Sequence, residues 1–130
     1  MQIVRNDNSW RIADGDQSLH ESLESLARQS GYRVADLSCH VGITEQHLRR
    51  LFHRDVGIPI KEWLRCERMM IARRMLNCDM DPSEISNSLG FTHPNSFSRE
   101  FKTIYEMTVS DYLKTRQRRF EQWMEMSRHS

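Results

Sequence analysis

Apolar residues in this chain recur three and four positions apart and seldom alternate. That spacing places side chains on one face of a helix. Only Ile3-Val4 suggests a short extended piece, so the pattern predicts an all-α fold of about seven helices. Residues 1–16 are polar, with turn-like clusters at 6–8 and 14–16, and read as a tail or linker. A first helix is expected near Ser18, where Ser18 and Glu21 could form a capping box. Leu19, Leu23, Leu26 and Ala27 line its face, and Gly31 ends it. A second helix covers residues 34–41, with Leu37 and Val41 inward. Gly42 makes the turn, and Thr44 caps a third helix that carries Leu48, Leu51 and Phe52 inward. Gly57 and Pro59 close that unit. A fourth helix spans 60–77, with Ile60, Trp63, Leu64, Ile71, Met75 and Leu76 as core candidates. Asp81-Pro82-Ser83-Glu84 starts a fifth helix with an N-cap, a first-position proline and a carboxylate at the third position. Gly90 turns the chain into a sixth helix from 93 or 94, with Phe97, Phe101 and Ile104 inward. Thr108 and Asp111 open a last helix running to about Glu125.

One segment of this pattern is written twice. Leu37, Ser38, Val41, Gly42, Ile43 and Thr44 answer to Ile85, Ser86, Leu89, Gly90, Phe91 and Thr92 at an offset of 48. Beyond the turn the offset is 49, pairing Leu48, Arg50 and Phe52 with Phe97, Arg99 and Phe101. Each copy is an apolar helix, a glycine turn and a second helix with exposed polar residues. That is the outline of a helix-turn-helix, whose second helix can enter a DNA major groove. The fourth helix would be about 27 Å long. A strut of that length can set the separation of two reading heads on grooves roughly 34–36 Å apart.

Composition changes this picture little, and charge sharpens it. The net charge of the 130 residues is only +1, but residues 46–74 carry eight basic side chains against three acidic ones. Sixteen of the basic residues are Arg and three are Lys, and Arg is the better fork for phosphate and guanine edges. No apolar run approaches the roughly 20 residues of a membrane span, and the first ten residues hold no signal core. Cys39, Cys66 and Cys78 lack metal-like spacing and read as free thiols of a reducing cytoplasm.

Residues 32–114 resemble the DNA-binding domain of the AraC/XylS regulators. Leu89-Gly90-Phe91 followed by Ser96-Phe97-Ser98-Arg99-Glu100-Phe101-Lys102 is similar to the family's GF…SYFSR.FK signature. Leu48-Arg49-Arg50-Leu51-Phe52 with Val56-Gly57 resembles LSRLF…G, and Arg68, Ala72 and Leu76 match the R…A..L of the linking helix. Ser38 and Ser86 stand where the family usually has Ala, and Ser can bond back to its own helix. Arg33 stands at a usual Ser or Thr cap, and Glu106 and Val109 stand at a common Gly and Pro. The resemblance implies an AraC-type domain over 17–115. Its first unit would be 17–57, its linking helix 60–77 and its second unit 81–115, with a helical extension at 116–130.

Helices at about 44–56 and 93–105 would then face DNA. The base-reading candidates are Glu45, Gln46, Arg49 and Arg50 on the first, and His93, Asn95, Ser96 and Arg99 on the second. Phosphate candidates are Thr44, Arg54, Lys61, Arg65 and Ser83, two of them at helix starts where free N–H groups point outward. The first head carries the longer readers, so it is expected to set sequence choice and the second to anchor phosphate.

Other constellations point elsewhere only weakly. Of six histidines, His40 beside Cys39, His47 and His53 lie near one another, but helical phase scatters them, so no metal site is expected. No Ser/His/Asp or paired-carboxylate arrangement appears, so neither cofactor nor catalysis is expected. Phe120, Trp123 and Met124 form an apolar stripe. It is read first as packing on the second unit, and otherwise as a surface for RNA polymerase or a second protomer. The expectation is a bacterial, cytoplasmic, nucleoid-associated transcription regulator, more often an activator in this family, with double-stranded DNA as partner. The DNA-binding unit is expected to be monomeric, with dimerisation left to the extension or to an N-terminal domain absent from this sequence. The competing class is a protein-interaction adaptor or anti-regulator built on the same paired helices.

Overall fold

The computed structural model describes residues 1–15, 17–18 and 21–128. The chain forms two compact units, Met1–Met70 and Ile71–Ser130. Among the described residues, no helix is long and apolar enough to cross a membrane.

The first unit begins with strands, which corrects the expected polar tail. β1 (Gln2–Asn6), β2 (Ser9–Asp14) and β3 (Gln17–Ser18) form an antiparallel sheet in that order. Asp7 and Asn8 connect the first two with φ of 51° and 72°. A two-residue hairpin turn of type I′ needs both residues left-handed, and Asp and Asn tolerate that conformation. Ile3 pairs with Ile12, and both are buried. Two carboxylates hold the sheet to the helices. The Ile3 N–H donates to Asp55 Oδ2 at 2.7 Å, and the Trp10 N–H donates to Glu24 at 3.0 Å. Each satisfies a strand-edge donor that would otherwise need water.

α1 (Leu23–Gln29) is capped by Ser22, whose hydroxyl accepts from the Ser25 N–H at 3.2 Å. The cap therefore falls four residues after the expected Ser18, because Ser18 is already committed to β3. Leu19 lies outside the described residues. α2 (Val34–Val41), α3 (Glu45–Leu51) and a π-helical turn over Phe52–Val56 follow. Arg33 leaves α2 without a side-chain cap, and Gly57 ends the π turn at φ 87°. Leu23, Ala27, Leu37, Leu48 and Phe52 have no exposed surface, and Trp63 meets Phe52 at 5.1 Å between ring centroids. Burying side chains of this size contributes about 1.5–3 kcal/mol each.

α4 (Ile60–Asn77) has the predicted bounds, with Met69 and Ala72 buried alongside the expected Ile60, Trp63, Leu64 and Leu76. The second unit continues with α5 (Pro82–Ser88), α6 (Pro94–Tyr105) and α7 (Val109–Arg128). Asp81 caps α5 by accepting from the Ser83 N–H at 2.8 Å. Its core is a run of aromatic contacts along α6. Phe97 touches Phe91 and Phe101, and Phe101 also meets Tyr105 and Tyr112, at 4.8–6.1 Å. Arg116 fastens α7 to the end of α4, donating to the carbonyls of Leu76 at 3.1 Å and Asn77 at 2.9 Å. Those carbonyls have no partner within their own helix, and a cation suits that pole of it. α7 runs unbroken past residue 115, so the extension is the outer half of one helix. The stripe of Phe120, Trp123 and Met124 is exposed, which overturns the expectation that it packs on the second unit.

Candidate nucleic-acid interface

The two turns repeat in atoms as well as in letters. Gly42 and Gly90 take φ of 85° and 79°, a conformation that costs other residues strain. In each turn the residue after glycine donates its N–H five residues back. Ile43 donates to the Ser38 carbonyl at 3.1 Å, and Phe91 to the Ser86 carbonyl at 3.0 Å. The hydroxyls diverge. Ser38 Oγ donates to the Ala35 carbonyl at 2.7 Å, as expected of a back-bonding serine. Ser86 Oγ is buried without a partner among the described residues.

In the first copy, Thr44 caps α3 by accepting from the His47 N–H at 3.1 Å. Leu48, Leu51 and Phe52 anchor the inner face. Gln46, Arg49 and Arg50 are exposed on the outer face, and Glu45 is half-buried beside them. Arg49 reaches back to Glu45 at 3.3 Å, an exposed pair one helical turn apart. His53, one further turn along, is also exposed on this side and belongs with the set. Sequence spacing raises His53 only as a metal-ligand candidate, which helical phase dismisses. Its i+7 relation to Gln46 was the available signal.

In the second copy His93 is the N-cap of α6, with Nδ1 accepting from the Asn95 N–H at 3.2 Å. That leaves Nε2 as its outward group. Asn95, Ser96 and Arg99 are exposed, and Lys102 extends the same face. Lys102 was missed as a site residue although it closes the recognised motif. Asn95, Arg99 and Lys102 stand at i, i+4 and i+7, which puts one amide and two cations in a row.

The phosphate candidates divide. Lys61 is exposed on the first turn of α4, and Arg65 lies 3.3 Å from Glu62. Thr44 keeps a hydroxyl proton to donate. Ser83 is exposed, but its N–H is taken by Asp81, whose carboxylate would repel an anion. Arg54 is committed within the first unit. Its guanidinium lies 2.7 Å from Asp55 and donates to the Met1 carbonyl at 3.0 Å. The Arg54 fork, helped by the Ile3 N–H, holds the Asp55 carboxyl below the usual carboxylate range despite partial burial.

Residues 37–115 match a family described as a helix-turn-helix domain. The chain is 33% identical over 86 residues to the transcriptional regulatory protein HptR of Staphylococcus aureus, covering 66% of this chain and 34% of HptR. It is 34% identical over 85 residues to the lactose operon transcription activator of Staphylococcus xylosus, covering 65% of this chain and 30% of that protein. The chain thus spans about a third of the length of these relatives. The C-terminal domain of the two-component response regulator yesN from Fusobacterium nucleatum superposes with a TM-score of 0.63 at 25% identity, covering 70% of this chain and 93% of that one. A transcriptional regulator with an AraC-type DNA-binding domain from Chromobacterium violaceum gives 0.62 at 21% identity, covering 72% and 88%. At that identity the second likeness speaks for the fold alone.

Proposed function

The chain belongs to the AraC/XylS family of helix-turn-helix DNA-binding domains, and from that premise we propose that it regulates transcription by reading an asymmetric duplex site. In this reading α3 enters one major groove and α6 the next. One observation carries it: the two turns share their glycine geometry and hydrogen bond, while the outward side chains differ almost throughout. A repeated scaffold with unlike exposed faces suits two unlike half-sites.

The readers on α3 are Gln46 and Arg49, supported by Glu45, Arg50 and His53. Gln can pair with adenine and Arg with guanine, and a carboxylate accepts from cytosine N4. On α6 they are Asn95, Ser96 and Arg99, with His93 presenting Nε2. Lys61, Arg65, Lys102 and the Thr44 hydroxyl supply backbone contacts, which fix register without reading sequence. Arg54 drops out of this set because its fork is occupied. Ser83 is a weaker anchor than expected because Asp81 stands at the same helix start. The activator named among the relatives supports activation, with recruitment of RNA polymerase as the simplest means.

Selection from random duplexes tests the reading. The expected product is two unlike motifs, with more information in the α3 half-site. Enrichment in the α6 half-site alone would sink the assignment of readers. If no duplex is enriched and residual binding is nearly insensitive to salt, the paired helices are a protein-interaction adaptor.

A further inference from the structure

Arg49, Arg50 and Arg99 stand on the outward faces of α3 and α6, and they differ in what lies one helical turn before them. Arg50 has Gln46 there and Arg99 has Asn95, both uncharged. Arg49 has Glu45, whose carboxylate accepts from its Nη2 at 3.3 Å. The second head repeats the scaffold without this pair. At the offset of 49, Pro94 and Ser98 stand where the first head has Glu45 and Arg49. The first turn of α6 carries no acid at all. A carboxylate on a face that meets DNA is costly, because every phosphate repels it. Here it is also well held. Glu45 opens α3, where the free N–H groups of the first turn favour a negative charge. An acid four residues before a base is the better order for such a pair on a helix.

We propose that Glu45 is a positioning residue that raises the specificity of the first head by restraining Arg49. The inference rests on the reading of α3 as a major-groove helix. An unrestrained arginine takes a phosphate on any sequence, which adds affinity without discrimination. With Glu45 in place, a phosphate contact only replaces a contact of the same kind, so Arg49 gains little on random DNA. A matched site is different. Two parallel hydrogen bonds to guanine N7 and O6 outweigh the single bond to Glu45. A guanidinium also has five N–H donors, so one remains for the carboxylate while the others engage the base. Glu45 therefore handicaps the wrong complex more than the right one, which is how a repulsive group adds specificity. Arg50 and Arg99, with no acid one turn before them, stay free to follow the backbone.

Binding of the full chain to a selected and a random duplex, followed by anisotropy across a salt series, tests this. The variants are Glu45→Gln, Arg49→Ala and the two together, each checked for folding by circular dichroism. Glu45→Gln should bind the random duplex about 3–10-fold more tightly and steepen its salt slope by about 1, as Arg49 takes one phosphate. The selected duplex should gain less, so the ratio of the two affinities falls. Adding Arg49→Ala to Glu45→Gln should remove the gain on random DNA and restore the slope. A gain that survives Arg49→Ala overturns the proposal, because simple repulsion between Glu45 and phosphate would then account for it. Equal changes on the two duplexes overturn it as well. So does a Glu45→Gln variant that weakens the selected duplex alone, since the carboxylate would then read cytosine itself. A native chain whose binding ignores both salt and sequence overturns the reading of DNA, and this inference falls with it.

Discussion

A buried hydroxyl without a partner is a cost that the second turn bears and the first does not. Ser38 and Ser86 occupy the same place in the two copies, and both are buried. Ser38 returns its proton to Ala35, whereas Ser86 Oγ meets no acceptor among the described residues. Ser86→Ala should therefore raise stability by about 1 kcal/mol, while Ser38→Ala should change it by less than about 0.5 kcal/mol. Urea denaturation of the two variants decides this, and equal effects would refute it. Glu106 makes a second residue-scale case. It ends α6 at φ 59°, with its N–H on the Lys102 carbonyl at 2.8 Å. A side chain in that conformation costs about 1–2 kcal/mol, part of which glycine recovers at some entropic expense. Glu106→Gly should gain about 0.5–1 kcal/mol, and a loss of stability would mean that the carboxylate has a role of its own. The family resemblance implied that Glu106 stands at a common glycine position. It could not show which rotamer a buried serine adopts, because that depends on which carbonyl lies within reach.

At the scale of elements, α2 and α4 fall within their predicted bounds because caps, glycines and apolar phase agree along those stretches. The hairpin was missed for a physical reason. Its strands bury one residue each, Ile3 and Ile12, too few to establish a period of two. The turn residues Asp7 and Asn8 were visible but had no alternation beside them to flank. What fixes the hairpin is remote in sequence, since the Ile3 N–H ends on Asp55. That contact makes its docking sensitive to acid. The Asp55 carboxyl sits below the ordinary value of 3.8, with the Arg54 fork as the leading cause. In that pH range the unfolded chain binds the proton more tightly than the folded one. The contribution is complete above about pH 5 and is lost as pH falls through the folded value. Asp55→Asn should cost about 1 kcal/mol at neutral pH, and its melting temperature should approach that of the native chain as pH falls toward about 3. A gap that stays constant with pH would remove Asp55 from this role.

For the whole molecule, a net charge of +1 conceals an uneven distribution. The outward faces of α3 and α6 were legible because repeat and helical phase point to the same side chains. Arg54 was not, because its partners are the adjacent carboxylate and a carbonyl 53 residues away. The exposed end of α7 was not, because an apolar stripe reads alike whether covered or bare. The proposed division between readers and anchors makes a prediction that separates specificity from attraction. The pair of Arg49 with Glu45 is exposed on both sides, at 55% and 42%, and such pairs add only a few tenths of a kcal/mol to folding. Arg49→Ala should therefore fold as the native chain does. It should lose about 1–3 kcal/mol on the selected duplex and little on random DNA, with its salt dependence nearly unchanged. Lys61→Ala should instead weaken both duplexes alike and reduce the salt slope by about 1, the signature of one phosphate contact removed. Fluorescence anisotropy across a salt series distinguishes the two patterns. If Arg49→Ala lowers the slope and Lys61→Ala relaxes specificity, the roles are exchanged, and the outer face of α3 is tracking the backbone of its groove.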